Sequence, residues 1–193
     1  MIIVSGTAGS GKTTLIRRTV REFGGRLRHS VSATTRPPRG AEVDGIDYHF
    51  WTRDRFEQGI AAGEFLEYAT VFGRHYYGTL RSEVDRYREQ GVGVILDIDV
   101  QGAAQLRRAC PGAFTVFVET PPGEYERRLR ERGTDSEEAI QRRLDEARRE
   151  LARAGEFDRR ILNDDVDRAA AELCAEIRRL FETNQGRQTC SRS

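Results

Sequence analysis

The stretch Gly6-Thr7-Ala8-Gly9-Ser10-Gly11-Lys12-Thr13 decides the fold of this 193-residue chain. It matches the pattern Gly-x-x-x-x-Gly-Lys-Ser/Thr, in which glycines let successive backbone N–H groups point at phosphate oxygens. The apolar run Ile2–Ser5 before it predicts a buried strand, and Lys12–Phe23 after it predicts a helix. A strand, this loop and a helix in that order predict a binding site for nucleotide phosphates.

The side chains of the loop indicate how the phosphates would be used. Lys12 is expected to bridge the β- and γ-phosphates of ATP and to act in catalysis. The Thr13 hydroxyl is expected to hold Mg²⁺, mostly through ATP and water. Lys12 is also the single lysine among 32 basic residues. Because an ammonium is compact and a guanidinium is a broad planar fork, this bias indicates that position 12 requires an ammonium.

Composition excludes several classes of protein. Charged residues make up 33% of the chain, yet the formal net charge is +1, which argues against a nucleic-acid partner. No apolar run reaches 18 residues, so no membrane span is predicted. Cys110, Cys174 and Cys190 are far apart and fit no disulfide or zinc spacing, which favours free thiols in a reducing cytoplasm. The scattered histidines predict no metal held by protein ligands alone.

Alternating apolar and helical stretches predict an α/β fold with a mostly parallel sheet. The predicted strands beyond the first are 46–51, 65–72, 92–98, 114–118 and 160–162. The predicted helices beyond the first are 53–62, 81–90, 101–109, 124–132, 136–154, with Thr134 or Asp135 as N-cap, and 166–181. The segments 29–45 and 73–79 are expected to be loops, and the polar tail 184–193 is expected to be disordered.

The segment 30–79 carries the residues expected to recognise an acceptor. Arg36 and Arg39 lie three residues apart in a proline-stiffened loop, and tyrosines follow. Two guanidinium forks with tyrosine hydroxyls suit a dianionic phosphate, and a nearby carboxylate suits a base with two adjacent N–H donors. On chemistry alone, a charged surface subdomain with packed tyrosines remains an alternative.

From about residue 1 to 181 the chain resembles guanylate kinases, which convert ATP and GMP to ADP and GDP. The resemblance lies in a series of motifs in matching order and spacing: Ser32-x-Thr34-Thr35-Arg36-x-Pro38-Arg39, Glu42-Val43-Asp44-Gly45, Asp47-Tyr48, Tyr77-Gly78-Thr79, Ile95-Leu96-Asp97-Ile98-Asp99-x-Gln101-Gly102, Arg132-Gly133-Thr134 and Asn163-Asp164-Asp165. It implies one domain over residues 1–183, with a P-loop NTPase core of parallel sheet flanked by helices (1–31, 80–121 and 151–183). It also implies a small mixed GMP-binding subdomain at 32–79 and a helical lid at 122–150.

The resemblance also implies site residues. The ATP-binding set is Gly6, Thr7, Ala8, Gly9, Ser10, Gly11, Lys12, Thr13, Thr14 and, as a contact to the adenine edge, Asn163. The GMP-binding set is Arg36, Arg39, Tyr48 and Tyr77 for the phosphate, Ser32, Glu67 and Thr79 for guanine, and Asp97, which alternatively orients Mg²⁺-bound water. The catalytic set is Lys12 with the lid arginines Arg128, Arg132 and Arg143. Asp99 is expected to be structural, and the lid arginines are expected to lie away from the phosphate loop until both substrates bind.

Two other functions remain possible at this point. A guanylate-kinase-like scaffold domain would bind proteins without catalysis, but such domains have lost the phosphate loop that is intact here. A kinase for a sugar phosphate would leave Ser32, Glu67 and Thr79 without a purpose. The favoured hypothesis is direct in-line transfer from ATP to GMP, with dGMP as a possible acceptor, in which positioning and charge neutralisation provide the catalysis.

Overall fold

A computed structural model of the chain describes residues 1–7, 9–71, 73–131 and 137–190. The strands in this part are β1 Ile2–Gly6, β2 Leu27–His29, β3 Ala33–Thr34, β4 His49–Phe50, β5 Phe65–Val71, β6 His75–Leu80, β7 Gly93–Asp97, β8 Phe114–Glu119 and β9 Arg159–Leu162. The α-helices are α1 Lys12–Phe23, α2 Arg53–Ala61, α3 Arg81–Glu89, α4 Val100–Ala109, α5 Pro122–Glu131, α6 Glu137–Ala152 and α7 Val166–Cys190.

A five-stranded parallel sheet in the order β2-β7-β1-β8-β9 forms the core. Because side chains alternate along a strand, β1 serves both faces of this sheet. Ile2 and Val4 join the cluster that holds α1 and α7, whereas Ile3 joins the cluster that holds α3 and α4. The predicted α/β fold with a parallel sheet is confirmed.

The turn after β1 places the phosphate loop at the carboxyl edge of the sheet. A side chain at Gly6 would overlap the carbonyl oxygen of Val118 on the neighbouring strand. Gly11 takes a left-handed conformation with φ 86° immediately before α1 begins at Lys12. Glycine is the only residue that fits at position 6 without a clash and at position 11 without backbone strain. Helix α1 therefore starts with its N-terminal N–H groups facing the loop.

A second sheet in the order β4-β3-β6-β5, with α2 packed on it, forms a smaller unit. Its centre is Phe56, whose ring stacks 4.4 Å from Phe65 and 5.1 Å from Tyr76, centroid to centroid. The Thr52 side chain caps α2 by accepting a hydrogen bond from the Arg55 backbone N–H. This aromatic cluster gives the second sheet and α2 a hydrophobic core of their own, separate from the core around the parallel sheet.

Several predictions for this unit are wrong. Residues 29–45 and 73–79 were expected to be loops, but β3 and β6 lie within them or overlap them. Gly78 lies inside β6, where the Phe65 ring covers it, and a Cβ there would approach that ring to 2.7 Å. The strand predicted at 46–51 is reduced to His49–Phe50, and Ile46 is 68% exposed.

Helices α5 and α6 pack on each other through a small cluster of Tyr125, Ile140, Leu144 and Ala147. The Tyr125 ring also lies against Gly9, 3.5 Å from where a Cβ would stand. This helix pair is therefore attached directly to the phosphate loop. The N-cap candidates Thr134 and Asp135 lie outside the described residues.

The last helix is longer than predicted. It was expected to end at Phe181, but α7 runs to Cys190. Glu, Gln and Arg, which occur after Phe181, are good helix formers. Across the described residues, none of the helices combines the length and apolar character that a membrane crossing requires.

Candidate functional site

The phosphate loop is held by hydrogen bonds to its own carbonyl groups. The Lys12 ammonium donates to the carbonyl oxygens of Gly6 at 2.8 Å and Thr7 at 3.0 Å. The Asn163 amide donates to the Ser10 carbonyl at 2.6 Å and packs so closely on Gly11 that a side chain there would overlap it. Asn163 is 5% exposed, so the structure places it beneath the loop.

Thr13 and Asp97 connect the loop to the next strand of the sheet. The Thr13 hydroxyl donates to the Asp97 carboxylate at 2.8 Å, at the carboxyl end of β7. A hydroxyl beside a carboxylate is a donor set that suits Mg²⁺, which keeps several waters and takes few protein ligands. Within the described residues, no group of three or more His, Cys, Asp or Glu could form a protein cage for a metal.

The two aspartates at the end of β7 have separate positions. The Asp99 side chain accepts a hydrogen bond from the Gly102 N–H at 2.7 Å and caps α4. This contact supports the prediction that Asp99 has a structural role. Asp97 instead faces the phosphate loop.

Arg36 is the centre of a charged cluster on the second sheet. Its guanidinium, 6% exposed, donates to both oxygens of Glu42 at 2.9 Å and to the Tyr77 hydroxyl at 3.1 Å. Hydrogen bonds from Arg36 hold the pKa of the Glu42 carboxyl below its usual range. Glu42 also accepts from the Arg39 backbone N–H at 2.7 Å, so one carboxylate orients both arginine positions.

Two tyrosines lie beside this cluster. The rings of Tyr48 and Tyr77 meet edge to face with centroids 5.9 Å apart, and the Arg36 guanidinium lies over the Tyr48 ring. Burial, with the nearby Asp97 carboxylate, raises the pKa of Tyr48. Its hydroxyl therefore stays protonated at neutral pH and can donate a hydrogen bond to an anion.

A cleft of about 530 Å³ brings the predicted phosphate-binding residues of both substrates together. Its lining from the loop and α1 is Gly9, Gly11, Lys12, Thr13 and Thr14, and its lining from the second sheet and its loops includes Arg36, Arg39, Tyr48 and Tyr77, with Asp97 between them. Arg143 of α6 lines the same cleft.

Arg143 lies in the same cleft as residues of the phosphate loop. The contact between Tyr125 and Gly9 places the helix pair beside that loop. That the lid arginines approach the phosphates only when both substrates bind stays a prediction. Ala8 and Arg132 lie outside the described residues, as does the side chain of Arg128.

An adjoining cavity of about 350 Å³ holds the residues predicted for base recognition, and Ser32 and Glu67 line it. The Thr79 hydroxyl donates to Glu67 at 2.6 Å. Glu67 is 5% exposed, and burial raises its pKa to about 7, with a smaller contribution from the negative charge of Asp99. A buried carboxylate with a spare acceptor oxygen can receive two adjacent N–H groups of a base.

Some residues around these cavities escaped the sequence analysis. Glu42 was noticed only as part of a motif, and its pairing with Arg36 six residues away has no short-range signal. Arg17 of α1 forms an ion pair with Asp47 and so joins the core to the second sheet's loop. From α6, three further charged residues line the base cavity: Glu146, Arg149 and Glu150. Arg153, just after the end of α6, lines it as well.

Comparisons with known proteins point to one family. A family model described as "Guanylate kinase" matches residues 1–180. The guanylate kinase of Alkalilimnicola ehrlichii is 47% identical over 97% of this chain and 90% of its own length. That of Rubrobacter xylanophilus is 47% identical over 93% of this chain and 94% of its own. A crystal structure of guanylate kinase from Anaplasma phagocytophilum superposes with TM-score 0.73 at 28% identity, covering 92% of this chain and 84% of that one.

Proposed function

Because the chain belongs to the guanylate kinase family, we propose that it transfers the γ-phosphoryl group of ATP to GMP, giving ADP and GDP. One observation carries this proposal: a single cleft is lined by the phosphate loop on one side and by Arg36, Arg39, Tyr48 and Tyr77 on the other. Two phosphate-binding surfaces that face each other suit a reaction in which a phosphoryl group passes between two phosphates.

On the donor side, backbone N–H groups of residues 6–14 and the start of α1 would bind the ATP phosphates. Lys12 has three N–H donors, two of which are used on loop carbonyls. We propose that this ammonium also contacts the β- and γ-phosphates. For Asn163 we propose a contribution to ATP binding at the adenine edge, and its bond to Ser10 supports a further effect through the loop.

On the acceptor side, Arg36 and Arg39 would bind the GMP phosphate, with hydrogen bonds from the two tyrosines. Glu67 would accept N1–H and N2–H₂ of guanine, while Ser32 and Thr79 complete the base contacts. The cavity that Glu67 and Ser32 line adjoins the cleft, since Tyr48, Tyr77 and Asp97 border both. A nucleotide could therefore extend from the base site to the phosphate site.

The attacking group in this reaction is a phosphate oxygen that is already an anion, so no strong general base is required. Catalysis then depends on alignment and on neutralising charge at the transferred group. Lys12 and Arg143 flank the cleft from opposite elements, and Arg128 and Arg132 are proposed to join them from the lid, residues 122–150. The second sheet and α2, within 32–79, are proposed as the GMP-binding subdomain.

Mg²⁺ is part of the proposal. Thr13 and Asp97 would hold it, directly or through water, together with ATP oxygens. When bound, the ion neutralises phosphate charge and orients the β- and γ-oxygens. We also infer a cytoplasmic location, supported by the free thiols of Cys110 and Cys174.

A coupled assay of ADP release with GMP, dGMP, IMP, AMP, UMP and CMP tests this function. We expect rapid turnover with GMP, weak turnover with IMP, which lacks the 2-amino group, and almost none with AMP. Sites that hydrogen-bond a substrate group reject analogues lacking it by about 10⁴–10⁵. Equal turnover of all the monophosphates, or none with GMP, would contradict the proposal.

A further inference from the structure

Gly102 occupies a position where a helix does not need glycine. It is the third residue of α4 and has no left-handed φ, so any residue could adopt its backbone conformation. Glycine inside a helix is less favourable than alanine, because it loses more conformational freedom. The local structure therefore gives no reason for glycine at position 102, and the reason has to lie in what surrounds it.

The surroundings are the Glu67 carboxylate. A Cβ built on Gly102 would overlap Glu67 Oε2, would lie 3.0 Å from Glu67 Cδ and 3.4 Å from Asp99 Oδ1. Ordinary van der Waals contact begins at 3.4 Å, so Glu67 Oε2 would have to retreat by about 1 Å. The backbone of α4 thus packs directly on one oxygen of Glu67.

The other oxygen of the same carboxylate is fixed from the opposite strand. Thr79 on β6 donates to Glu67 Oε1, and Glu67 lies on β5. The Gly102 N–H does not bind Glu67, since it donates to Asp99. Gly102 therefore affects Glu67 only through packing. The α4 backbone at this position limits how far the carboxylate can move away from Thr79.

We propose that Gly102 is a positioning residue for the acceptor base, because its missing side chain fixes where the Glu67 carboxylate stands. This inference rests on the proposed function, in which Glu67 accepts two N–H groups of guanine. Both bonds require the carboxylate to be in one place. An overlap with the end of a side chain is easily relieved by the fold, so Gly102→Ala moves the carboxylate and leaves α4 intact.

The test compares wild type, Gly102→Ala and Gly112→Ala in steady-state kinetics with GMP and IMP. Gly112 is a matched control, since it is also a glycine without left-handed φ and a Cβ there meets nothing within 4 Å. We expect Gly102→Ala to lose on the order of 10² in kcat/KM for GMP, the cost of a misplacement near 1 Å. The loss should fall mainly on KM for GMP, and the GMP/IMP ratio should narrow while KM for ATP stays unchanged.

A double variant tests the clash itself. Glu67→Asp withdraws the carboxylate by one methylene, so adding Gly102→Ala to it should cost nothing further. The same comparison applies if Gly102→Ala alone folds poorly, because the double variant should then regain the melting temperature of Glu67→Asp.

Three outcomes would overturn the inference: GMP kinetics of Gly102→Ala equal to wild type, a parallel loss for ATP and GMP, or a double variant worse than Glu67→Asp. Failure of the proposed function looks different, since wild type itself would then not phosphorylate GMP.

Discussion

The phosphate loop is built from consecutive residues, 6–14, whereas the acceptor side collects side chains from Ser32, β5, β6, β7 and the loop 35–48. The first uses backbone N–H groups that any sequence with the right glycines can present. The second uses guanidinium, carboxylate and hydroxyl groups that each need a partner to hold them. A contiguous backbone site tolerates change at most side chains, but an assembled site depends on every supporting contact.

The largest effect on activity is expected for Lys12, the side chain of the phosphate loop that phosphoryl transfer requires. Lys12→Ala should lower kcat on the order of 10²–10³, the effect of removing one preorganised group at a transition state. Lys12→Arg should be nearly as poor, because the planar fork cannot replace the ammonium between Gly6 and Thr7 carbonyls. Single-turnover kinetics with ATP and GMP measure both.

Arg21→Ala on the same helix is the control for Lys12, since Arg21 is exposed near the far end of α1. Circular dichroism should show the same fold in all three variants. Near-normal turnover of Lys12→Arg would remove the argument from the single lysine.

The substitution Glu67→Gln is expected to impair recognition of guanine on the acceptor side. We expect it to lose about 10² in kcat/KM for GMP, since an amide offers one acceptor where guanine presents two donors, and buried groups left unpaired are costly. The GMP/AMP ratio should narrow, because the amide can donate to N1 of adenine. An unchanged ratio would show that Glu67 is not in the base site.

Features set by local sequence patterns could be predicted from the sequence, whereas features set by tertiary contacts could not. The loop, α1 and the strands β1, β7, β8 and β9 of the parallel sheet follow from local patterns, and their positions were predicted nearly to the residue, whereas β2 was not predicted. By contrast, β3 and β6 were missed because their pairing depends on Phe56 and Phe65, which lie far away along the chain. Pairs such as Arg36 with Glu42, or Glu67 with Gly102, are set by tertiary contacts that carry no spacing rule.

The pH dependence of kcat/KM for GMP is a smaller effect, and it again distinguishes the acceptor side from the phosphate loop. The pKa of Glu67 is about 7, so the carboxylate is increasingly protonated below that pH. We expect kcat/KM for GMP to fall about tenfold per pH unit below 7, and KM for ATP not to follow. In Glu67→Gln this step should vanish, leaving only the titration of the GMP phosphate near pH 6.

The same titration affects stability in the opposite direction. The folded pKa of Glu67 lies above the unfolded value of 4.5, so the native state holds the proton more tightly. The contribution of Glu67 to the free energy of unfolding is therefore greatest below pH 4.5 and is lost as the pH rises through 7. Urea denaturation at pH 5 and pH 8, in wild type and Glu67→Gln, measures this difference.

The smallest effect is expected where the two sides are joined. Arg17 on α1 pairs with Asp47 beside the second sheet, and Arg17 is half exposed. Exposed ion pairs contribute about 0–1 kcal/mol, so Arg17→Gln should raise KM for GMP by no more than about fivefold. The increase should disappear at high salt. A loss that persists in 1 M salt would mean that Arg17 acts through another contact.

Lys12 has a further consequence for experiment. Because the chain contains a single lysine, reductive methylation with ¹³C-formaldehyde would label one side-chain amine and the chain's N-terminal amine. The dimethylated amine keeps its positive charge and one N–H at the phosphate loop, so its methyl resonance would report nucleotide binding there without any engineered probe. Lys12 therefore provides a natural attachment point for a spectroscopic marker at the proposed reaction centre.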